Sequence, residues 1–367
     1  MVIDSIEVKN FRNYEMLSLK PDENTTILYG DNGQGKTNIL EAVYVGSTSR
    51  SHRTNKESEM IRFGEEEAHV KMFVKRGVHS SRIDIHLKKN RSKGIAIDGI
   101  PIRKASELFG VVNVIFFAPE DLFIIKNGPA DRRRFLDMEL CQLDKIYVYH
   151  LIQYNKALIQ RNKLLKELEF RPKLIDTLDI WDAHLANYGR EVIKRRRDFV
   201  AELGSIAGPI HRQLSGEREN LRLSYEESSD EEHLEQAIAA GRERDLKYHN
   251  SGIGPHRDDI CFSLDGTDLR RFGSQGQQRT AALALKLAEI ELVKRRIKDT
   301  PILLLDDVFS ELDSNRQNRL LGELKGIQTI ITCTGLDELV ENRCRMDKIY
   351  YVAGGKAEEK REQNRGQ

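Results

Sequence analysis

The sequence predicts an α/β fold in which one head is built from both ends of the chain, with a mainly helical domain inserted between them. Three observations point there. A glycine-rich turn at residues 30–37 lies between a strand-like segment at 26–29 and a helical one at 38–45. Far along the chain, the apolar run 301–305 ends in the paired acids Asp306 and Asp307. Between these segments the apolar spacing changes from two to three or four, the change from strand to helix.

Taken in order, residues 3–8 and 26–29 read as strands, and 68–74 and 82–87 alternate with period two. Residues 95–102 contain Asp98-Gly99, a hairpin turn signal, and 111–117 is a continuous apolar run suited to a buried strand. After Pro129, the residues Leu136, Leu140, Leu143, Tyr147, Leu151, Tyr154 and Leu158 mark one face of a single long helix. Phe170-Arg171-Pro172 breaks it. Leu178, Trp181, Leu185, Tyr188, Val192 and Phe199 mark a second face, giving an antiparallel helical pair with further helix behind it. Such stripes are usually core, and only in the minority of cases a partner-helix surface.

From about residue 245 the α/β pattern resumes. A strand is expected at 258–264, a helix at 275–296, a strand at 302–305, a helix at 313–324 and a strand at 329–332. The expected division is an N-terminal lobe of the head at 1–125, the helical insertion at 126–244, and a C-terminal lobe at 245–367. The final GKAEEKREQNRGQ reads as a frayed charged tail.

Hydrophobic residues make up 39% of the 367, enough for a sizeable core. The net charge of +1 provides no global basic field, so any nucleic-acid surface must be local. Basic clusters stand at Arg132-Arg133-Arg134, at 194–197, and at Lys294-Arg295-Arg296. Each reads first as a solvated helix face and second as a set of phosphate contacts to a duplex. Aromatic residues are 7% of the chain and none groups near these clusters, so base stacking on single strands is not expected. Cys141, Cys261, Cys333 and Cys344 show no C-x-x-C spacing and read as reduced thiols of a cytoplasmic protein. Neither a leader nor a membrane-spanning run is expected.

The turn Gly30-Asp31-Asn32-Gly33-Gln34-Gly35-Lys36-Thr37, with Asn38 opening the helix, matches the phosphate-binding pattern G-x-x-x-x-G-K-[ST]. Its glycines let backbone N–H groups curl around phosphate oxygens at a helix N-terminus. Lys36 is expected to neutralise the β and γ phosphates of ATP, and Thr37 to ligate Mg²⁺. The acids after the apolar strand fit the same chemistry. Asp306 is placed to hold Mg²⁺, and Asp307 to act as general base on the attacking water.

Ser274-Gln275-Gly276-Gln277 opens a long helix just before the carboxylate strand, and Ser310 and Asp313 follow that strand. In this order the motifs resemble the signature and D-loop of ABC ATPases. There the signature serine, glycine N–H and helix dipole bind the γ-phosphate held by the other subunit, in trans. Further stretches narrow the resemblance: Asn10-Phe11-Arg12-Asn13-Tyr14, Ser51-His52-Arg53-Thr54, Phe117-Ala118-Pro119-Glu120-Asp121-Leu122, and Gly254-Pro255-His256-Arg257-Asp258-Asp259. Together they are similar to the RecF family, relatives of the SMC ATPases.

That resemblance implies an ATP-dependent homodimer that hydrolyses ATP slowly and binds double-stranded DNA at single-strand/double-strand junctions. It also implies work with RecR and RecO, and through them the loading of RecA. Arg12 would then lie near the nucleotide. Three features depart from the general ABC pattern. Asp307 stands where transporter ATPases carry Glu, Thr332-Cys333-Thr334 replaces a switch histidine, and Pro119-Glu120-Asp121 occupies the Q-loop region without a glutamine. His256 and Arg257 are either functional or parts of a turn fixed by Gly254-Pro255. The competing readings are the cytosolic ATPase subunit of a membrane transporter and an SMC-like tether, for whose long arms the insertion is too short.

Overall fold

The computed structural model describes residues 1–336 and 346–360, so Cys344 and the last part of the tail lie outside the described residues. The chain divides into two compact units, Met1–Asp121 with Glu289–Gln367, and Leu122–Ala288. The second boundary falls later than the 244/245 expected from the pattern, for reasons of strand pairing given below.

The first unit begins with β1 (Val2–Phe11), β2 (Tyr14–Leu19), β3 (Thr25–Tyr29) and α1 (Lys36–Thr48). Then come β4 (Glu67–Arg76), β5 (His79–Lys88), β6 (Gly94–Ile97), β7 (Ile100–Pro101) and β8 (Val114–Phe117). Six of these strands form one antiparallel sheet in the order β2-β1-β4-β5-β6-β7. Period-two alternation in β4 turns Ala68, Val70, Met72 and Val74 inward, all nearly inaccessible. Asp98 and Gly99 both take positive φ, 54° and 80°, as a two-residue hairpin between the paired Ile97 and Ile100 requires. Strand β8 starts at Val114 rather than 111, because Val111 N–H closes a turn onto Leu108 O.

The second unit holds α2 (Pro129–Leu143), α3 (Lys145–Glu167), α4 (Leu178–Leu214), β9 (Leu221–Glu226), α5 (Leu234–Ala240) and α6 (Arg242–Tyr248). It continues with β10 (Asp259–Leu264), β11 (Thr267–Asp268), α7 (Leu269–Phe272) and the first part of α8 (Gln275–Ile297), which passes into the first unit at Glu289. The single helix expected across Leu136 to Leu158 is two. Asp144 leaves helical geometry at φ −140°, ψ 103°, and its carboxylate caps α3 by accepting from Ile146 N and Tyr147 N. Apolar spacing carries through that break, which is why periodicity misses it. Strand β9 pairs along its length with β10, and β11 completes a three-stranded sheet. That pairing ties the residues after 244 to the helical unit and moves the boundary.

Two of the basic clusters are built into this unit. Arg132, 1% exposed, makes a bidentate pair with Asp259 at 2.6 and 2.8 Å and also donates to the carbonyls of Ile124, Ile125 and Asn127. Arg196 is buried against Asp137, Tyr147 and Pro255 O. Neither is a solvated helix-face residue, and neither is available to phosphate.

The first unit, resumed within α8, then holds β12 (Ile302–Asp306), α9 (Ser314–Glu323), β13 (Thr329–Cys333), β14 (Lys348–Ala353) and β15 (Lys356–Lys360). These strands join β3 and β8 in a second sheet, ordered β15-β14-β3-β13-β12-β8. All its pairs are parallel except β14–β15. Its centre is dry, with Ile302 to Leu305 at most 1% exposed, as an unbroken apolar run demands. Residues 356–360 were expected in the frayed tail. They form an edge strand instead, because Gly354 and Gly355, both at positive φ, turn the chain back onto β14. Lys356, Glu358, Glu359 and Lys360 keep that edge charged. Among the described residues no helix is long and apolar enough to cross a membrane.

Candidate functional site

Parallel strands deliver their C-terminal ends to one edge of a sheet, and β3 and β12 both end there. After Tyr29 the chain turns through Gly30, Gly33 and Gly35 at φ 148°, 78° and 110°. Gly30 is hemmed in by backbone and Gly35 by side chains. A Cβ on Gly30 would stand 2.3 Å from Val352 O, and one on Gly35 would stand 2.4 Å from the Asn13 amide. No side chain caps α1, so its N-terminus keeps its backbone donors and positive dipole end for an anion. Lys36 is buried and donates to Gly30 O at 2.6 Å and Asp31 O at 2.9 Å, which folds its charge into the loop. The loop is braced from outside. Asn13 donates to Gln34 O, Tyr14 OH to Gly35 O, and Gly354 N–H to Gln34 Oε1.

The acids meet this loop directly. Asp306 Oδ1 accepts from Thr37 Oγ1 at 2.9 Å and from Thr332 Oγ1 at 2.7 Å. Asp306 and Thr332 are register partners on β12 and β13, so the sheet itself sets this contact. Burial raises the Asp306 pKa against the two hydroxyl bonds, and the nearby Glu120 raises it further while Arg53 opposes. Asp307 sits at φ 52°, a strained position for a non-glycine residue, with its N–H on Thr332 Oγ1 at 3.0 Å. A cavity of about 280 Å³ is lined by Asn32, Gly33, Gly35, Lys36, Thr37, Asn38, Arg53, Asp306, Asp307 and Thr332. Gly30, Asp31 and Gln34 are not among the lining residues.

Arg12 lies beside the cavity, in an adjoining cleft of about 910 Å³ that shares Asn38 and Arg53 with it. Its guanidinium makes a bidentate pair with Glu41 at 2.7 and 2.6 Å and donates to Glu59 O. Glu41 is inaccessible to solvent. Burial pushes its pKa up, but hydrogen bonds from Arg12 and Ser51, together with the Arg12 charge, hold it below the usual range. Arg53 approaches Glu41 at 3.8 Å and donates to Asn38 Oδ1 at 2.9 Å. The stretches around Arg12 and Arg53, apart in sequence, therefore converge on one buried carboxylate of α1. Spacing singles out neither Glu41 nor Thr332. A buried acid inside an apolar helix was the available signal for Glu41, whereas Thr332 emerges only from register.

The signature belongs to the second unit. Ser274 N–H donates to Gln277 Oε1 at 2.8 Å and Gln277 N–H to Ser274 Oγ at 3.2 Å, a reciprocal capping box. Ser274, Gln275 and Gly276 are exposed. Gln277 Nε2 is held by Glu219 Oε1 at 2.8 Å. After β12, Ser310 Oγ donates to Asp307 O, and Asp313 caps α9 through Arg316 N. His256 has a structural setting. Its Nε2 bonds Ser251 O at 2.9 Å, its Nδ1 lies 2.5 Å from Tyr154 OH, and burial pushes its pKa down to about 4. Arg257 bonds Ser251 O and Asn250 in the same turn.

A family model described as the RecF/RecN/SMC N-terminal domain matches residues 2–358. The chain is 59% identical over 358 residues to the DNA replication and repair protein RecF of Agathobacter rectalis, covering 98% of this chain and 99% of that protein. The chain belongs to the RecF family. A solved structure described as the recombination mediator protein RecF–ATP in the RecFOR pathway superimposes with a TM-score of 0.92 at 36% identity, covering 98% of this chain and 97% of that one. An SMC head domain from Pyrococcus furiosus, 17% identical over 98% of this chain and 95% of its own, shares the fold with a TM-score of 0.56. The α/β head expected from the motifs is thus the RecF and SMC head fold.

Proposed function

We propose that this RecF-family chain is an ATP-driven DNA-repair switch, a weak ATPase whose two nucleotide sites close when two copies meet. The observation that carries the reading is the cavity that joins Lys36, Thr37, Asp306 and Asp307. It supplies the cation, hydroxyl and carboxylates that a nucleoside triphosphate and its metal need. Ser274 and Gly276 are exposed at the capped start of α8, and this exposure favours contact with a nucleotide held by a partner copy, in trans.

In this reading the backbone donors of residues 32–37 and Lys36 hold the phosphates, and the adjoining cleft beside Arg12 takes the nucleoside. The oxygen donors Thr37 and Asp306 fit Mg²⁺, and the burial-raised Asp306 is the kind of carboxylate that a cation stabilises. Bound there, Mg²⁺ would neutralise charge on the phosphates. Asp307 acts as general base. Its side chain is shorter than the Glu of transporter ATPases, which favours slow turnover and a long-lived ATP state.

The family relation supports the rest: binding to double-stranded DNA at single-strand/double-strand junctions, cooperation with RecR and RecO, and help in loading RecA. The basic clusters add little, because Arg132 and Arg196 are buried and Arg195, Arg197 and Arg295 are in ion pairs. The transporter-subunit reading has no observation in its favour. Duplex binding across a salt series tests the proposal. Affinity should need ATP and Mg²⁺, fall steeply with salt, and vanish in Lys36→Met. Binding that ignored both nucleotide and salt would refute it.

A further inference from the structure

The solvent face of the antiparallel sheet gathers metal-ligating side chains away from the nucleotide cavity. On β4 the inward residues are Ala68 and Val70, so Glu67 and His69, two apart, both face outward. On β5 the inward residues are Ile85 and Leu87, which turns His86 outward. The register then pairs His69 directly with His86. Their rings stack with centroids 4.0 Å apart. Glu67 reaches across to both, with Oε2 2.9 Å from His86 Nε2 and Oε1 3.7 Å from His69 Nε2. One donor atom from each residue lies within 4.8 Å of the other two.

We infer that Glu67, His69 and His86 form a binding site for a divalent transition-metal ion of the Zn²⁺ class. Two imidazoles and one carboxylate, with water in the remaining positions, are the donor set that Zn²⁺ takes in three-ligand sites. The same set is poor for Mg²⁺, which prefers oxygen donors and keeps its water. Strand pairing holds the Cα atoms of His69 and His86 side by side, and the stacked rings must turn to aim one nitrogen each at a shared ion. Two cations work against the site. Lys9 is the β1 partner of His69, and Lys88 Nζ lies 3.9 Å from Glu67 Oε2. Affinity should therefore be moderate.

The test is calorimetric titration of the full chain with ZnCl₂, in a non-chelating buffer with Mg²⁺ in large excess to saturate the oxygen-rich nucleotide site. The expected result is one saturable equivalent in the wild type. It should weaken by about tenfold or more in His69→Ala and in His86→Ala, and be lost in the double variant. Replacing Zn²⁺ with Co²⁺ should give visible d–d absorption that the double variant lacks. All three side chains are half-exposed, so circular dichroism should show the variants folded. No saturable binding in the wild type, or equal affinity in the double variant, would overturn the site.

Discussion

Thr332 Oγ1 donates to Asp306 Oδ1 at 2.7 Å, on the same oxygen that receives Thr37 Oγ1 at 2.9 Å. It also accepts the N–H of Asp307 at 3.0 Å. One hydroxyl, on the strand after the carboxylate strand, thus orients both acids of the proposed site. Thr332→Val keeps the shape and removes the hydroxyl. ATP turnover should fall by about ten- to a hundredfold, as losing a hydrogen bond to a charged group costs about 1.5–3 kcal/mol, with nucleotide affinity little changed. Phosphate-release kinetics beside equilibrium binding would show the split, and unaltered turnover would count against it.

Glu219 holds the amide of Gln277, whose other bonds form the signature's capping box. Glu219→Ala should weaken ATP-dependent dimerisation by about tenfold while leaving nucleotide binding by the monomer intact, and Glu219→Gln should recover part of the loss. Dimerisation equal to wild type in the Ala variant would show that Gln277 needs no anchor.

Arg132 and Asp259 make a bidentate pair that burial makes costly to break. Removing Arg132 leaves the Asp259 carboxylate with only Arg270 as countercharge, 4.0 Å away, so Arg132→Ala should lower stability to denaturant by about 3 kcal/mol. Arg295→Ala, at an exposed helical pair with Glu291, should cost under about 1 kcal/mol. Similar costs for both would contradict the burial argument.

His256 is a base whose pKa falls from the ordinary 6.5 to about 4 in the folded chain, chiefly through burial. Between those values the unfolded chain binds a proton that the folded chain refuses. Stability from this group is therefore complete above pH 6.5 and is lost as pH falls toward 4. The difference of about 2.5 units corresponds to roughly 3 kcal/mol. His256→Gln should flatten that part of the pH–stability curve between 6.5 and 4. An unchanged slope would mean the ring is protonated in the native state.

The motifs of the proposed nucleotide site were legible because each is contiguous: the loop of residues 30–37, the strand ending in Asp306 and Asp307, and the capped start of α8. What stayed hidden depends on pairing between distant segments. Thr332 reaches Asp306 only through parallel register, and Arg12, Ser51 and Arg53 meet Glu41 only once α1 is packed. Asp144 breaks a helix whose apolar face runs on unbroken, and β9 draws β10 into the helical unit. Charge misled in the same way, since Arg132 and Arg196 look like surface residues until their carboxylate partners are found. The Gly354-Gly355 turn was a readable sign that the tail would fold back.

The central claim is a site shared between two copies of the chain, and the solution mass of wild type, Lys36→Met and Ser274→Arg tests it most directly. Sedimentation with and without ATP and Mg²⁺ should show a monomer becoming a dimer only in the wild type with both added. Ser274→Arg should stay monomeric while still binding nucleotide. A Ser274→Arg protein that dimerised normally with ATP, or one mass for all three proteins under every condition, would contradict it.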